Sequence, residues 1–344
     1  MGRNHPARDL NHRSILTSML HHRILPSLAF LLTALSCSAA IEVDDRPPPS
    51  HPVAQPAPNP EPKPEPMRVE PEPEPTAPCP DDMVYIDHVY CTKLRWRCRK
   101  KAVVNGIPQS SICREYHPTS SCLGHVRRQR FCMDRYEYPN TKGAHPPVMV
   151  TAYDAAAMCH EQGKRLCWES EWTSACEGSE PRPYPYGYRR DATKCNIDKV
   201  GRDIDPPALR SSEPAILYPT LERLDQSVPS GSMAECTSDY GVYDTTGNLS
   251  EWVFIEKPGG ACTWAGVKGG HWTNTRSVCR PVGKVHPEAW SFYPLSFRCC
   301  ADPNPEALSP PPDDGIPIWI PPPPPHTEPL NGVLNRGWVP GTPY

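Results

Sequence analysis

Proline is concentrated in two stretches of the chain, and this distribution limits where a folded core can form. Fifteen of the 48 prolines lie at 47–80, and fourteen more lie at 303–343. Proline fixes its own φ and has no backbone N–H, so dense proline runs favour an extended polyproline conformation over packed helices and sheets. The stretch between them, about 79–303, holds roughly 220 residues, enough for one large domain or two small ones.

The first 40 residues are predicted to be an export signal. Basic residues precede an apolar stretch at 24–35, and residues 38–40 (Ser-Ala-Ala) form a small-residue cleavage site. An alternative is that Cys37, which follows a short apolar run and a small residue, is the lipidated first residue of a bacterial lipoprotein. Both interpretations export the chain, to the periplasm, the outer membrane or the medium, and only the second gives it a membrane contact.

The two proline-rich arms are predicted to be disordered, residues 41–78 as a Pro- and Glu-rich linker and residues 304–344 as a tail. Such compositions bury too little apolar surface to offset the entropy lost on folding. Within the tail, the prolines at 321–325 either dock in an aromatic groove on a partner or act as a stiff linker.

The cysteine count points to an oxidising compartment. Of sixteen cysteines, fifteen lie from Cys79 onward, and an exported chain would carry them as disulfide partners. Because fifteen is odd, at least one thiol is expected to be free, ligating, reactive or paired between chains. A net charge of -3 leaves no basic surplus for nucleic acid, and no apolar run beyond the leader reaches transmembrane length.

Within 79–303 the pattern predicts little regular secondary structure for the size of the domain. Residues 154–161 and 169–176 contain good helix formers, and short runs at 83–86, 253–255 and 296–298 are predicted strands. Disulfides, with or without a metal ion, would have to fix the remaining loops.

Residues 79–130 are predicted to be a cysteine-rich N-terminal part of this domain, basic and irregular over 91–130. Its cysteines stand among Arg and Lys, and a basic run occupies 95–101. The basic run either contacts an anionic surface or is only a solvated face. The pairing of the cysteines between 79 and 132 is left open by the sequence.

Six segments are more informative together than any one of them, and they occur in the order FCMDRYEYPN (131–140), GKRLCWESEW (163–172), YPYGYRRDATKCNID (184–198), GVYDTTGNLSEWV (241–253), VKGGHW (267–272) and LSFRCCAD (295–302). In kind, order and approximate spacing they resemble the formylglycine-generating enzyme family, also called sulfatase-modifying factors, over about 79–303. The resemblance implies a single α+β domain, related to C-type lectins, with much irregular backbone. It also implies an enzyme that uses dioxygen and copper to oxidise a sulfatase cysteine, within Cys-x-Pro-x-Arg, to formylglycine.

The resemblance implies a calcium site in the YDxxGNxxEW loop. The matching ligands here are Asp244, the carbonyls of Gly247 and Leu249, and Glu251. Calcium takes six to eight oxygen ligands, and a tight turn with two carboxylates can direct several of them at one point. The alternative without a metal is that Asp244 caps a turn and Glu251 pairs with an arginine.

A second calcium site of the family uses an Asn-Ile pair, which Asn196 and Ile197 match. Its remaining ligands come from a segment that aligns poorly with 199–227, where Asp205 or Asp225 could complete the site. Without a metal, Asn196 would merely close a turn.

The copper site is where the sequence departs from the family, whose enzymes hold copper(I) with two cysteines spaced five apart after a GGS(W/Y) turn. Here Cys279 matches the second cysteine, but Asn274 stands at the first and His271 stands at the serine. An amide oxygen is a poor copper(I) ligand, whereas the imidazole of His271 could replace the lost thiolate. Cys279 and His271 are therefore the candidate catalytic residues, and copper is expected only if the protein is active.

Two disulfides are also implied by the resemblance. The helix cysteine of the family, matched by Cys159, pairs with the cysteine of FRC, which is Cys299 here. The cysteine matched by Cys176 pairs in the family with a position that is not cysteine in this chain. Cys176 could therefore bond Cys279 instead, and that bond would consume the last thiol of the copper site.

Two functions are compatible with these features. The first is an exported, calcium-stabilised binding or structural module that has lost copper chemistry and whose partner is an extracytoplasmic protein, peptide or glycan. The alternative is an oxidase that still makes formylglycine with altered metal ligation. The replacements at 271 and 274 favour the first.

Overall fold

The computed structural model of the protein describes residues 77–104 and 107–342. The predicted signal at 1–40, the lipidation site Cys37 and all but the last two residues of the predicted linker at 41–78 lie outside these residues. Within them, no helix combines the length and the apolar character that a membrane span requires.

Most of the regular structure in the described residues consists of β-strands, which range from 2 to 16 residues. They are β1 (Met83–Cys91), β2 (Leu94–Val104), β3 (Ile107–Cys122), β4 (Val126–Asp134), β5 (Arg165–Leu166), β6 (Ser250–Phe254), β7 (Ala265–Lys268), β8 (Leu295–Phe297) and β9 (Cys299–Ala301). They form a sheet in the order β1-β4-β9-β5, a sheet in the order β7-β6-β8 and a β2-β3 hairpin. In the second sheet β6 runs antiparallel to β7 and parallel to β8.

Four helices accompany the strands in the described part of the chain, and they are α1 (Ala152–Glu161), α2 (Glu169–Glu177), α3 (Pro206–Leu209) and α4 (Pro214–Leu224). Helix α1 begins at a capping box, in which Thr151 accepts from the Asp154 backbone N–H while the Asp154 carboxylate accepts from Thr151. Helix α2 ends at Gly178, whose φ of +78° is readily adopted by glycine.

The hydrophobic core lies between α1, α2 and the two sheets. Trp252 and Phe254 on β6, together with Phe297 on β8, pack against α1. Trp172 on α2 is fully buried in a second cluster against β1 and β4. These elements, several disulfides and long loops make the mixed architecture that the sequence predicts, and the α+β class is confirmed.

The β2-β3 hairpin lies where the sequence indicates an irregular segment, and that expectation is wrong. The cysteines that break the hydrophobic pattern are cross-links, since Cys98 bonds Cys113 across the hairpin and Cys91 bonds Cys122 at its base. Residues 94–99 of β2 do alternate between partly buried and exposed positions, but the sequence of β3 has no alternating apolar pattern, and disulfides replace part of the apolar contact that usually marks a strand pair.

Residues 304–342 are also placed against the domain, which differs from the expected disordered tail. Trp338 exchanges two backbone hydrogen bonds with Val148, at 2.8 and 2.9 Å, and its side chain is buried among core residues. Trp319 lies under the Arg127 guanidinium, 4.4 Å from the ring centroid. Two widely spaced tryptophans therefore anchor a segment whose overall composition is typical of disorder.

Seven disulfides cross-link the described residues. The pairs implied for Cys159–Cys299 and Cys176–Cys279 are both present. The remaining bonds are Cys79–Cys132, Cys91–Cys122, Cys98–Cys113, Cys167–Cys300 and Cys195–Cys236. Cys262 is the free cysteine of the described part and is buried, with its thiol donating to the His286 carbonyl.

Candidate metal and catalytic site

The expected metal and copper residues lie at one end of the β6-β7 pair. Glu251, near the start of β6, pairs in register with Lys268 at the end of β7. The loop that precedes β6 and the turn that follows β7 are therefore neighbours, and the Gly247 N–H donates to the Gly269 carbonyl at 3.1 Å. The two motifs share one site because antiparallel strands bring them to the same edge.

The loop at 244–249 requires left-handed backbone. Asp244 and Asn248 have φ of +60° and +47°, and Gly247 has φ of +88°. A Cβ at Gly247 would collide with the Asn196 carbonyl oxygen and with Ile197. Glycine at this position therefore lets the two expected calcium segments touch.

The two acidic members of the first calcium set already have protein partners. Asp244 Oδ2 accepts from the Gly231 N–H at 2.7 Å. Glu251 accepts from Arg298 Nε and Nη2, and from Trp172 Nε1, each at 2.7 Å. This is the arrangement expected without a metal, in which Asp244 fixes a turn and Glu251 pairs with an arginine.

A third buried carboxylate, Glu137, leaves this cluster unbalanced in charge. Glu137 accepts from Asn248, Ser230 and the Leu249 N–H, and it is fully buried. Burial, with the nearby charges of Asp244 and Glu251, raises the pKa of Glu137 well above its usual range. Burial also raises the pKa of Asp244 to about 6. Three acids surround one buried cation, Arg298.

The negative charge around the first calcium set, at 244–251, suits a calcium ion. Glu251 itself already accepts three hydrogen bonds from Arg298 and Trp172. A divalent cation beside Asp244 would offset the surplus negative charge that Arg298 leaves. Asp244 and the carbonyls of Gly247 and Leu249 would hold it, with Glu251 fixed behind them by Arg298. The described residues contain no group of three or more His, Cys, Asp or Glu side chains placed to share a metal.

The second calcium set does not fit a metal as well. Asn196 Oδ1 is buried without a hydrogen-bond partner, which a cation could supply. However, the ammonium of Lys199 already donates to the Gln226 carbonyl at 2.7 Å, and Asn196 Nδ2 donates to the same oxygen at 3.0 Å. The positive charge at this point therefore comes from a lysine.

The two acids that could complete the second calcium set, Asp205 and Asp225, both accept hydrogen bonds from nearby backbone N–H groups. Asp205 caps α3 by accepting from the Ala208 N–H, and Asp225 accepts from the Ser227 N–H. Ile197 is buried against Cys195 and Cys236.

The turn after β7 lacks the thiolate pair that copper needs. Cys279, named above as a candidate catalytic residue, is bonded to Cys176 and has no free thiolate. Asn274 offers a buried amide oxygen without a hydrogen-bond partner. His271 Nδ1 lies 3.3 Å from the Thr273 hydroxyl, and burial lowers the pKa of His271 to about 4. A neutral imidazole and an amide do not fit copper(I) as two thiolates would.

A cavity of about 260 Å³ opens beside this turn. Its wall includes Ser250, Gly270, Arg276 and His286. Nearby, the buried Lys268 ammonium donates to the carbonyls of 280 and 281 and lies over the Trp172 ring. The cleft can admit a small ligand or an extended side chain of a partner.

Sequence reasoning missed Glu137 and Arg298 as parts of this site. Both lie inside segments singled out above, FCMDRYEYPN and LSFRCCAD. A charged residue that stands among apolar neighbours in a motif indicates a buried partner, and that signal could have identified the pair.

Comparison with known proteins identifies one domain in this chain. The family described as "Sulfatase-modifying factor enzyme 1-like domain" matches residues 103–302. A curated relative from Bos taurus, named "Inactive C-alpha-formylglycine-generating enzyme 2", is 27% identical over 168 residues. That match covers 45% of this chain and 50% of the relative, so the chain spans about half the length of the relative.

Two solved structures resemble the chain at low sequence identity. The Treponema denticola variable protein 1 has a TM-score of 0.40 at 12% identity, covering 64% of this chain and 95% of its own. The structure titled "Crystal Structure of CarF" has a TM-score of 0.39 at 15% identity, covering 65% and 98%.

Proposed function

Because the chain belongs to the sulfatase-modifying factor enzyme 1-like family, we propose that it is an exported binding or structural module on that fold, stabilised by calcium and without copper oxidase activity. The partner would be an extracytoplasmic protein, peptide or glycan that occupies the cleft beside the turn after β7. Seven disulfides indicate an oxidising, extracytoplasmic environment for the folded chain.

The Cys176–Cys279 disulfide carries this proposal. Copper(I) chemistry in the family needs two thiolates, and here one position is Asn274 while the other is oxidised. Both sulfurs are fully buried, between α2 and the turn, so reduction would have to open the core. The bovine relative bears the name of an inactive enzyme, which supports the same conclusion.

A peptide oxidation assay tests the loss of activity. The purified protein, copper, dioxygen and a thiol reductant are incubated with a Cys-x-Pro-x-Arg peptide, and mass spectrometry follows conversion of the cysteine to the aldehyde. We expect no aldehyde, and we expect peptide mapping of the unreduced protein to recover the 176–279 cross-link. Aldehyde that accumulates with the parent protein but not with Cys279→Ser would establish the alternative, an oxidase with altered ligation.

The calcium part of the proposal is supported by the surplus of buried acid behind the 244–251 loop. Thermal unfolding tests it directly. Protein stripped with EDTA should gain stability when calcium is added, by roughly 2.7 kcal/mol at one hundred times the dissociation constant. An unfolding temperature that is the same in EDTA and in calcium would contradict it.

A further inference from the structure

The outer face of the β2-β3 hairpin carries a row of cations. Along β2, the exposed Arg95, Arg97 and Arg99 alternate with the partly buried Leu94, Trp96 and Cys98. The β2-β3 register is irregular between Trp96 and Lys101, but exposure alternates from residue to residue over 94–99, as it does along a strand with one buried face. The three guanidinium groups therefore lie on one side of the hairpin.

The opposite face fixes this orientation. Trp96 Nε1 donates to the Pro181 carbonyl at 3.0 Å, and its ring packs edge-on against Tyr116. Cys98 is bonded to Cys113. Since the inner face is held against the domain by these contacts, the arginine row faces solvent.

The charge of this face is poorly compensated. Residues 93–122 contain seven Lys and Arg and a single acid, Glu115, whereas the whole chain has a net charge of -3. Glu115 pairs with Arg99 at 3.2 Å, and Arg99 keeps 64% of its side chain exposed. Within the described residues, Arg95 and Arg97 make no ion pair.

A second group of arginines continues the basic surface at the hairpin. A cavity of about 390 Å³ is lined by three arginines and two aspartates, and in it the backbone N–H of Arg190 donates to the Arg114 carbonyl at 2.7 Å; the lining charges are Arg114, Arg189, Arg190, Asp191 and Asp198. Arg190 is paired with Asp198. Arg114 and Arg189 form no ion pair with another described residue.

The row belongs to a segment outside the shared family domain. The family match begins at residue 103, near the end of β2, so Arg95, Arg97 and Arg99 all precede it. A common structural role in the family therefore does not account for them.

We propose that this outer face binds a linear acidic polysaccharide through its carboxylate or sulfate groups. A row of guanidinium forks suits repeated anionic groups, because each fork can hold one such group with two hydrogen bonds. An oxidising, extracytoplasmic environment favours a glycan over nucleic acid. The inference names a ligand class for the proposed binding module and rests on that proposal, but its readout depends on neither calcium nor copper.

Fluorescence anisotropy with labelled alginate, a polyuronate, tests the proposal on the folded, full mature chain. We expect binding at 50 mM NaCl that weakens steeply by 300 mM, and no binding to neutral dextran. The double variant Arg95→Gln with Arg97→Gln should bind about tenfold more weakly. The matched variant Lys142→Gln with Lys257→Gln removes the same charge from exposed sites elsewhere and should stay close to the parent.

Three outcomes would overturn the proposal. They are no alginate binding at 50 mM NaCl, equal losses in the two double variants, or tighter binding to DNA, polyglutamate or anionic lipid vesicles at equal charge concentration. Because alginate binding can fail while the peptide oxidation assay still gives no aldehyde, failure of this proposal is distinguishable from failure of the proposed function.

Discussion

Single charged residues determine how the loop at 244–251 is stabilised. Behind the loop, Glu137, Asp244 and Glu251 are buried with one arginine, Arg298. Buried charges without a counter-charge cost free energy, so either a cation or a bound proton must accompany the surplus acid. These two possibilities give opposite results for one substitution.

Asp244→Asn is that substitution. Asparagine keeps an oxygen to accept from the Gly231 N–H and nearly the same volume, but it removes the charge. If calcium binds here, the variant should lose most of the calcium-dependent stabilisation, about 2–3 kcal/mol, in thermal or urea unfolding. If only a proton accompanies the acids, the variant should be more stable than the parent in EDTA.

Asp225→Asn is the matched control for this experiment. Asp225 also accepts a backbone N–H, from Ser227, but it belongs to the second expected set. We expect its calcium response to equal that of the parent. If calcium stabilises Asp244→Asn but not Asp225→Asn, the ion binds at the second expected set, with Asn196, and not at the 244–251 loop.

His88 gives the protein a pH-dependent stability away from this site. It is buried on β1, its Nδ1 lies 3.1 Å from the Tyr240 hydroxyl, and burial, with the Arg280 charge, lowers its pKa to about 4 against the opposing effect of Asp87. Between pH 6.5 and 4 the unfolded chain therefore binds a proton that the folded chain does not. Stability from this group is present above pH 6.5 and is lost as pH falls towards 4.

His88→Phe should remove this contribution. Urea unfolding gives the free energy of unfolding of parent and variant at pH 7 and at pH 4.5. Between these pH values the parent should lose up to roughly 3 kcal/mol more of this free energy than the variant. The exposed His160→Phe on α1 is the control and should follow the parent. Parallel curves for His88→Phe and the parent would show that His88 is protonated in the folded state.

At the scale of secondary-structure elements, the sequence predicted the parts of the fold that follow local patterns. Helices α1 and α2 and strands β6 and β8 lie within a few residues of their predicted positions. The hairpin was not predicted because β3 has no alternating apolar pattern and disulfides hold it to β2, and the C-terminal segment was not predicted because isolated tryptophans hold it. Long-range contacts of this kind have no local signature.

The buried side chain of Trp338 should contribute to the free energy of unfolding of the protein. This side chain is 6% exposed and packs with core residues, while Ile320 in the same C-terminal segment is 82% exposed. Trp338→Ala should therefore destabilise the protein by about 3 kcal/mol, and Ile320→Ala should change it by less than about 0.5 kcal/mol. Denaturant unfolding measures both. Equal, negligible effects would show that residues 304–342 contribute nothing to stability, as in a disordered tail.

For the whole molecule, the positions of the candidate site were predictable, whereas the bonds between them remained alternatives that only the folded chain distinguishes. The resemblance to the family identified Asp244, Glu251 and Cys279, because each matches a position in one of its motifs. The partner Arg298 lies 47 residues from Glu251, and Cys176 lies 103 residues from Cys279. The folded chain brings both pairs together, which supports the binding module that the replacements at 271 and 274 already favour.

The disulfides that close long loops should stabilise the whole molecule most. Cys159–Cys299 spans 140 residues, whereas Cys98–Cys113 spans 15. Loop entropy gives roughly 5 kcal/mol for the longer bond and roughly 3 kcal/mol for the shorter one. Replacing both cysteines of each pair by alanine and comparing urea unfolding should show the larger loss at 159 and 299. A larger loss at 98 and 113 would mean that the hairpin, rather than the link between α1 and β9, limits unfolding of the domain.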